Sequence, residues 1–91
     1  MNEEYLKKAE RYFDDNGMLT QYPSKRPVRE IVLERIAEKL VVDKDYTEKE
    51  VNRIIQEQIS FSDIELIRRE LYEYGFIGRE RDGSRYWKML R

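Results

Sequence analysis

The chain has 91 residues, 41% charged and 40% hydrophobic, with 18 lysines and arginines against 19 aspartates and glutamates and a formal net charge of -1. That length supports one domain with a modest core, the composition is too apolar for disorder, and the balanced charge gives no global attraction to nucleic acid or an anionic membrane. Cysteine and histidine are both absent, which removes disulfides, thiolate chemistry, the usual structural zinc sites and the commonest general base, so no enzyme, metal or cofactor is expected. No apolar run is long enough to span a membrane, and Met1-Asn-Glu-Glu4 lacks the basic start and apolar centre of a secretory signal; a cytoplasmic protein without membrane contact is expected.

From Asn2 to Asn16 the residues Tyr5, Leu6, Ala9, Tyr12 and Phe13 recur at helical spacing, with Asn2 as cap, Glu3 and Glu4 in the first turn and Gly17 placed to end the helix. Asp14 and Asp15 lie at its unfavourable negative end. A basic partner such as Lys25 or Arg26 would hold them, whereas a divalent cation would need a third oxygen ligand that the local spacing does not place. Met18 to Tyr22 is β-prone and closed by Pro23-Ser24, which gives an edge strand or an extended arm.

Lys25, Arg26 and Arg29 follow with no acid among them. They read either as a solvated helix entry, with Pro27 in the first turn, or as a phosphate-contacting patch joined by Ser24 and the free N–H groups of the helix start. Val28 to Val42 is the longest helical stretch, carrying Val28, Ile31, Val32, Leu33, Ile36, Ala37, Leu40 and Val41 on a wide apolar face that marks the central helix of the core.

Asp43 to Tyr46 reads as a polar turn leading to Thr47, which forms a capping box with Glu50 while Tyr46 and Val51 occupy the positions of a hydrophobic staple. Val51, Ile54, Ile55 and Ile59 extend that helix to a break at Ser60. The same pattern repeats in Ser62 with Glu65 and Phe61 with Leu66, starting a helix whose buried face is Ile64, Ile67, Leu71 and Tyr74. Gly75 is placed for the left-handed C′ position, with Phe76 able to contact Leu71 as in a Schellman motif. The period then turns strand-like, and Asp82-Gly83 predicts a hairpin with a two-residue type I′ turn. Its register sets Glu80 opposite Arg85, Arg79 opposite Tyr86 and Gly78 opposite Trp87, with Phe76, Trp87 and Met89 on one face and the indole across the bare backbone of Gly78.

Gly17-Met-Leu-Thr-Gln-Tyr-Pro-Ser-Lys-Arg26, Tyr46-Thr-Glu-Lys-Glu-Val-Asn52, Arg68-Arg-Glu-Leu71, Tyr74-Gly-Phe76 and Asp82-Gly-Ser-Arg-Tyr-Trp87 together resemble the bacterial domain-of-unknown-function family two thousand eighty-seven. The resemblance covers most of the chain from about Tyr12 onward. It implies a winged-helix-like domain and, in many members, a place after a separate DNA-binding regulator of the ArsR or MarR kind. From the order of elements the expected fold is α+β and winged-helix-like: an N-terminal helix over residues 1–17, a short arm or strand over 18–27, then a three-helix core and C-terminal β-hairpin wing over 28–91.

In such a fold Ser62 to Tyr74 would enter the major groove. That helix carries Asp63, Glu65, Glu70 and Glu73 against Arg68 and Arg69, a charge that repels phosphate. Arg68 and Arg69 point about 100° apart, so at least one folds over the core or pairs with an acid rather than reading a base. The hairpin is basic, with Arg79, Arg81, Arg85, Lys88 and Arg91 against Glu80 and Asp82, and with Tyr86 and Trp87 interleaved. It reads as a phosphate-contacting wing, or as ordinary cross-strand pairing around a core Trp87 and Phe76. Two functional classes fit: an accessory domain of bacterial transcription regulation that touches DNA through the wing and the Lys25-Arg26-Arg29 patch, or a module that binds a regulator protein or a second copy without binding DNA.

Overall fold

The computed structural model describes residues 3–91. Its elements run α1 (Glu3–Glu10), α2 (Arg26–Ala37), β1 (Asp45–Tyr46), α3 (Glu48–Gln56), α4 (Ile64–Glu73), β2 (Ile77–Arg79) and β3 (Tyr86–Lys88). From α2 onward this is helix, strand, two helices and a hairpin, with a three-stranded antiparallel sheet in the order β1-β3-β2. The arrangement is winged-helix-like, as expected, with one strand more than the hairpin alone supplies. Asp45 pairs with Trp87 and Tyr46 with Tyr86, so the segment read as a polar turn closes the wing onto the core.

Helix α2 is the centre of that core, with Val28, Ile31, Val32, Leu33, Ile36 and Ala37 buried. It stops at Ala37 rather than running to Val42. Leu40 is the last buried residue of the exit, and Val41 and Val42 are exposed. Asp43 adopts φ 61°, a left-handed conformation that Asp tolerates better than most residues, and swings the chain into β1. There the Tyr46 hydroxyl accepts from the Val41 N–H at 2.7 Å, pairing a backbone donor that lies beyond the helix.

The local helix signals mostly hold. Thr47 Oγ1 accepts from Glu50 N–H at 3.1 Å and Glu50 Oε1 from Thr47 N–H at 2.8 Å, the reciprocal pair of a capping box. At the end of α4, Phe76 N–H donates to Leu71 C=O and Gly75 N–H to Tyr72 C=O, with Gly75 at φ +79°, which are the two bonds of a Schellman motif. The second capping box does not form. Asp63, one residue beyond Ser62, caps α4 by accepting from Leu66 N–H at 3.1 Å. A carboxylate at the positive helix end outcompetes a neutral hydroxyl, and the shift takes Phe61 and Leu66 out of staple spacing.

Two other boundaries move. Helix α1 ends at Glu10, and its cap at Asn2 lies outside the described residues. Asp14 Oδ1 accepts from the N–H groups of Asn16 and Met18 at 2.9 Å each, so this carboxylate is held by a turn rather than by Lys25 or Arg26. Gly17 takes φ +80° in that turn instead of ending the helix. Of the two readings of Met18 to Tyr22, an edge strand or an extended arm, the fold is nearer the strand: Leu19 is fully buried, bridging antiparallel to Phe13 and parallel to Ile59. Helix α3 accordingly ends at Gln56, which frees Ile59 for that bridge.

Candidate nucleic-acid or partner interface

The predicted hairpin register is observed, with Ile77 opposite Lys88, Gly78 opposite Trp87 and Arg79 opposite Tyr86. The turn is different. Asp82 is not left-handed; Gly83 alone is, at φ +76°, and its N–H donates to Glu80 C=O at 2.9 Å. Asp82 Oδ1 accepts from Ser84 N–H at 3.0 Å, an Asx turn that holds Asp82 out of the type I′ conformation. Glu80 and Arg85 still close the hairpin through Glu80 N–H to Arg85 C=O at 2.9 Å, so the register survives.

Alternation then decides which aromatic enters the core. Tyr86 is 1% exposed and faces inward with Tyr46 and Ile77, its hydroxyl donating to Glu48 Oε1 at 3.0 Å. Burial, with the Glu48 carboxylate as second cause, pushes that phenol above its usual range and keeps it a neutral donor. Trp87, for which a core position is one of two readings, lies half-buried on the outer face between Gly78 and the Arg85 guanidinium, which sits 4.5 Å from the ring. A Cβ added at Gly78 would overlap the indole Nε1 and Cε2 and come within 2.7 Å of Cζ2. Gly78→Ala is expected to cost about 1–3 kcal/mol by overpacking, and Trp87→Ala in the same chain to recover part of the loss, as read by urea denaturation. An unchanged midpoint for Gly78→Ala would refute the stacking.

Apart from Arg91, the nine cations singled out above do not form one surface. Three are occupied by the fold. Arg29 donates to Pro23 C=O at 2.7 Å, lies 3.5 Å from Glu70 and stacks 4.9 Å from the Tyr22 ring. Tyr22 donates to the same Glu70 at 3.2 Å, and burial first, then Glu70, drives its pKa far upward. Arg68 donates to Asn52 Oδ1 at 2.6 Å and lies 3.8 Å from Glu48, bolting α4 to α3. Arg85 bridges Asp45 and Glu80 across the sheet, and its hydrogen bonds to Glu80 and then Asp45 raise its pKa.

The others are more available. Arg26 makes an exposed pair with Glu30 at 3.6 Å and stacks 4.6 Å from Tyr74, so with Arg29 turned to Glu70 the Lys25-Arg26-Arg29 patch is dispersed. Lys25 is the exposed N-cap residue of α2. Lys88 is half-buried opposite Ile77. Arg69, Arg79 and Arg81 are exposed. Arg79 sits 5.9 Å from the Tyr72 ring and 5.8 Å from Tyr86 while donating to Glu80 C=O and Arg81 C=O.

A groove of about 250 Å³ between α4 and the hairpin is lined by Glu65, Arg68, Arg69, Tyr72, Glu73, Arg79 and Tyr86. Its charge is less acidic than the helix sequence alone indicates. Asp63 is spent on the cap and Glu70 is turned toward Arg29, which leaves Glu65 and Glu73 facing Arg69 and Arg79. A model of uncharacterized proteins conserved in bacteria, DUF2087, matches residues 18–88, from the buried Leu19 connection through the last strand. The chain belongs to the DUF2087 family. Neither the curated proteins nor the solved structures compared with the chain gave a match. The DUF2087 match includes every sheet strand, the α4–hairpin groove and both partners of the Arg29–Glu70 and Arg68–Asn52 contacts, and it leaves α1 outside. Among the described residues no helix is long and apolar enough to cross a membrane.

Proposed function

We propose that this DUF2087 domain is a non-enzymatic accessory unit of cytoplasmic bacterial transcription regulation that makes a weak, salt-dependent contact with DNA phosphates along the α4–hairpin groove. The supporting observation is the convergence of exposed Arg69 and Arg79 on that groove, with Arg81 at the hairpin tip, while two of the four carboxylates of the α4 region are engaged elsewhere. Few cations are free, so few phosphates are neutralised. Two or three contacts give a slope of log affinity against log salt of about -2 to -3. Fluorescence anisotropy with duplex DNA over a salt series tests this. Arg79→Glu/Arg81→Glu is expected to abolish the binding, and no binding of the unaltered domain at low salt rejects the reading.

A second reading is a protein-interaction module whose partner is a DNA-binding regulator or a second copy. It is favoured by the exposure of Val41, Val42, Met89 and Leu90, the last at 75%. A concentration-dependent dimer in sedimentation, together with absent DNA binding, selects it.

A further inference from the structure

A cavity of about 320 Å³ lies between α1 and the start of α2, away from the groove just described. Lys8 and Arg11 approach it from α1 and its exit, Lys25 from the entry to α2, and Thr20 and Ser24 supply hydroxyls from the connection between them. Among the described residues no carboxylate lines it. Four other cavities of the domain each carry two carboxylates: Glu80 and Asp82 at the hairpin tip, Asp43 and Asp45 beside β1, Glu34 and Glu38 beside the C-terminal segment, and Glu65 and Glu73 in the α4–hairpin groove. In a chain with almost equal numbers of acids and bases, three cations around one acid-free concavity make a local positive potential that the balanced total conceals.

The cations are not used up by the fold. Among the described residues no ion pair engages Arg11 or Lys25. Lys8 lies 3.4 Å from exposed Glu4, and a solvated pair of this kind holds its lysine weakly. Thr20 Oγ1 donates to Tyr12 C=O at 3.0 Å and keeps its lone pairs for a second donor. Tyr12 and Val28 add an apolar wall. The volume is at the lower end of small-molecule sites, which run from about 300 Å³ upward.

From these features we infer that the cavity between α1 and α2 binds a small organic phosphate monoester, its phosphate held by Lys8, Arg11 and Lys25 and its apolar part set against Tyr12 and Val28. This site is independent of the DNA reading. It replaces the Lys25-Arg26-Arg29 patch with a different set of cations, one from α1 and one from the turn that follows it.

The test uses the full chain, labelled with nitrogen-15 and titrated with phenyl phosphate and with inorganic phosphate while the amide shifts are followed. The expected result is saturable shifts at Arg11, Thr20, Ser24 and Lys25, with tighter binding of phenyl phosphate. Arg11→Ala and Lys25→Ala each lower the affinity about tenfold, as loss of one charge-assisted hydrogen bond predicts. Both replace exposed side chains, so the thermal midpoint of the free domain stays unchanged. Shifts that do not saturate, equal affinity for the two probes, or shifts indifferent to both substitutions overturn the assignment. A parallel titration with a short duplex separates the sources of phosphate: if the duplex moves these amides and phenyl phosphate does not, the small-molecule site is rejected.

Discussion

Tyr86→Ala is expected to cost about 3–5 kcal/mol of folding stability, the range for removing a fully buried aromatic side chain. Tyr86 is 1% exposed and is among the largest side chains that the fold buries completely. Its backbone stands opposite both Tyr46 and Arg79, so the ring fills the place where β1, β2 and the helices meet. Domains of this size have a total stability of only about 5–15 kcal/mol, and each kcal/mol lost lowers Tm by about 4–8 °C. The variant is therefore expected to be largely unfolded or to melt far below the unaltered chain. Tyr86→Phe separates the ring from the hydroxyl: it keeps the packing and removes only the bond to Glu48, at about 0.5–1.5 kcal/mol. Trp87→Ala, on the outer face, is expected to cost clearly less than Tyr86→Ala despite removing the larger side chain. Urea denaturation followed by circular dichroism measures all three, and a greater loss for Trp87→Ala than for Tyr86→Ala would invert the assignment of the two sheet faces.

That pair shows what a sequence conveys about a strand and what it does not. The register of the hairpin was legible because Gly83 and the flanking residues set it locally. Which face meets the core is a matter of phase, and Tyr86-Trp87 offers two aromatics in succession. The choice depends on β1, whose partner in β3 lies about forty residues further along the chain. Helix ends divide in the same way. The Thr47–Glu50 box and the Gly75 motif each close within a few residues and were readable. Asp63 displaced Ser62 because a charged and a neutral cap stood side by side, and spacing alone does not rank them.

The candidate site was less legible than the fold. Arg29 and Arg68 have partners that are 41 and 16 residues away in Glu70 and Asn52, so their availability could not be judged from neighbouring residues, whereas Arg85 pairs with Glu80 as the hairpin register indicated and also with Asp45, 40 residues away. Lys8 and Arg11 stand three positions apart, a spacing that places both on one side of a helix. That was a usable local signal. Their meeting with Lys25 depends on the turn at Asp14 to Met18, which folds α1 back against α2. Charge counted along the chain likewise overstated the acidity of α4, since it gave Glu70 the same weight as Glu65.

Leu19→Ala carries the sharpest consequence of that turn. Were it part of a solvent-exposed arm, the residue would tolerate truncation within about 0.5 kcal/mol, as exposed positions do. In the fold it is fully buried, its N–H donates to Gln58 C=O at 2.7 Å, and its C=O accepts from Ser60 N–H at 2.9 Å. The backbone bonds fix its position so firmly that the surroundings have little freedom to close over the vacated space, which places the cost at about 2–5 kcal/mol. Gln21→Ala, an exposed neighbour two residues on, is the matched control and is expected to leave the midpoint unchanged. Because Leu19 bridges Phe13 on one side and Ile59 on the other, the loss is expected to extend to α1. In Leu19→Ala the amides of α1 should exchange with solvent faster than those of α4 at denaturant concentrations where the chain remains folded. Uniform acceleration across both helices would show instead that α1 and the winged-helix core unfold as one unit.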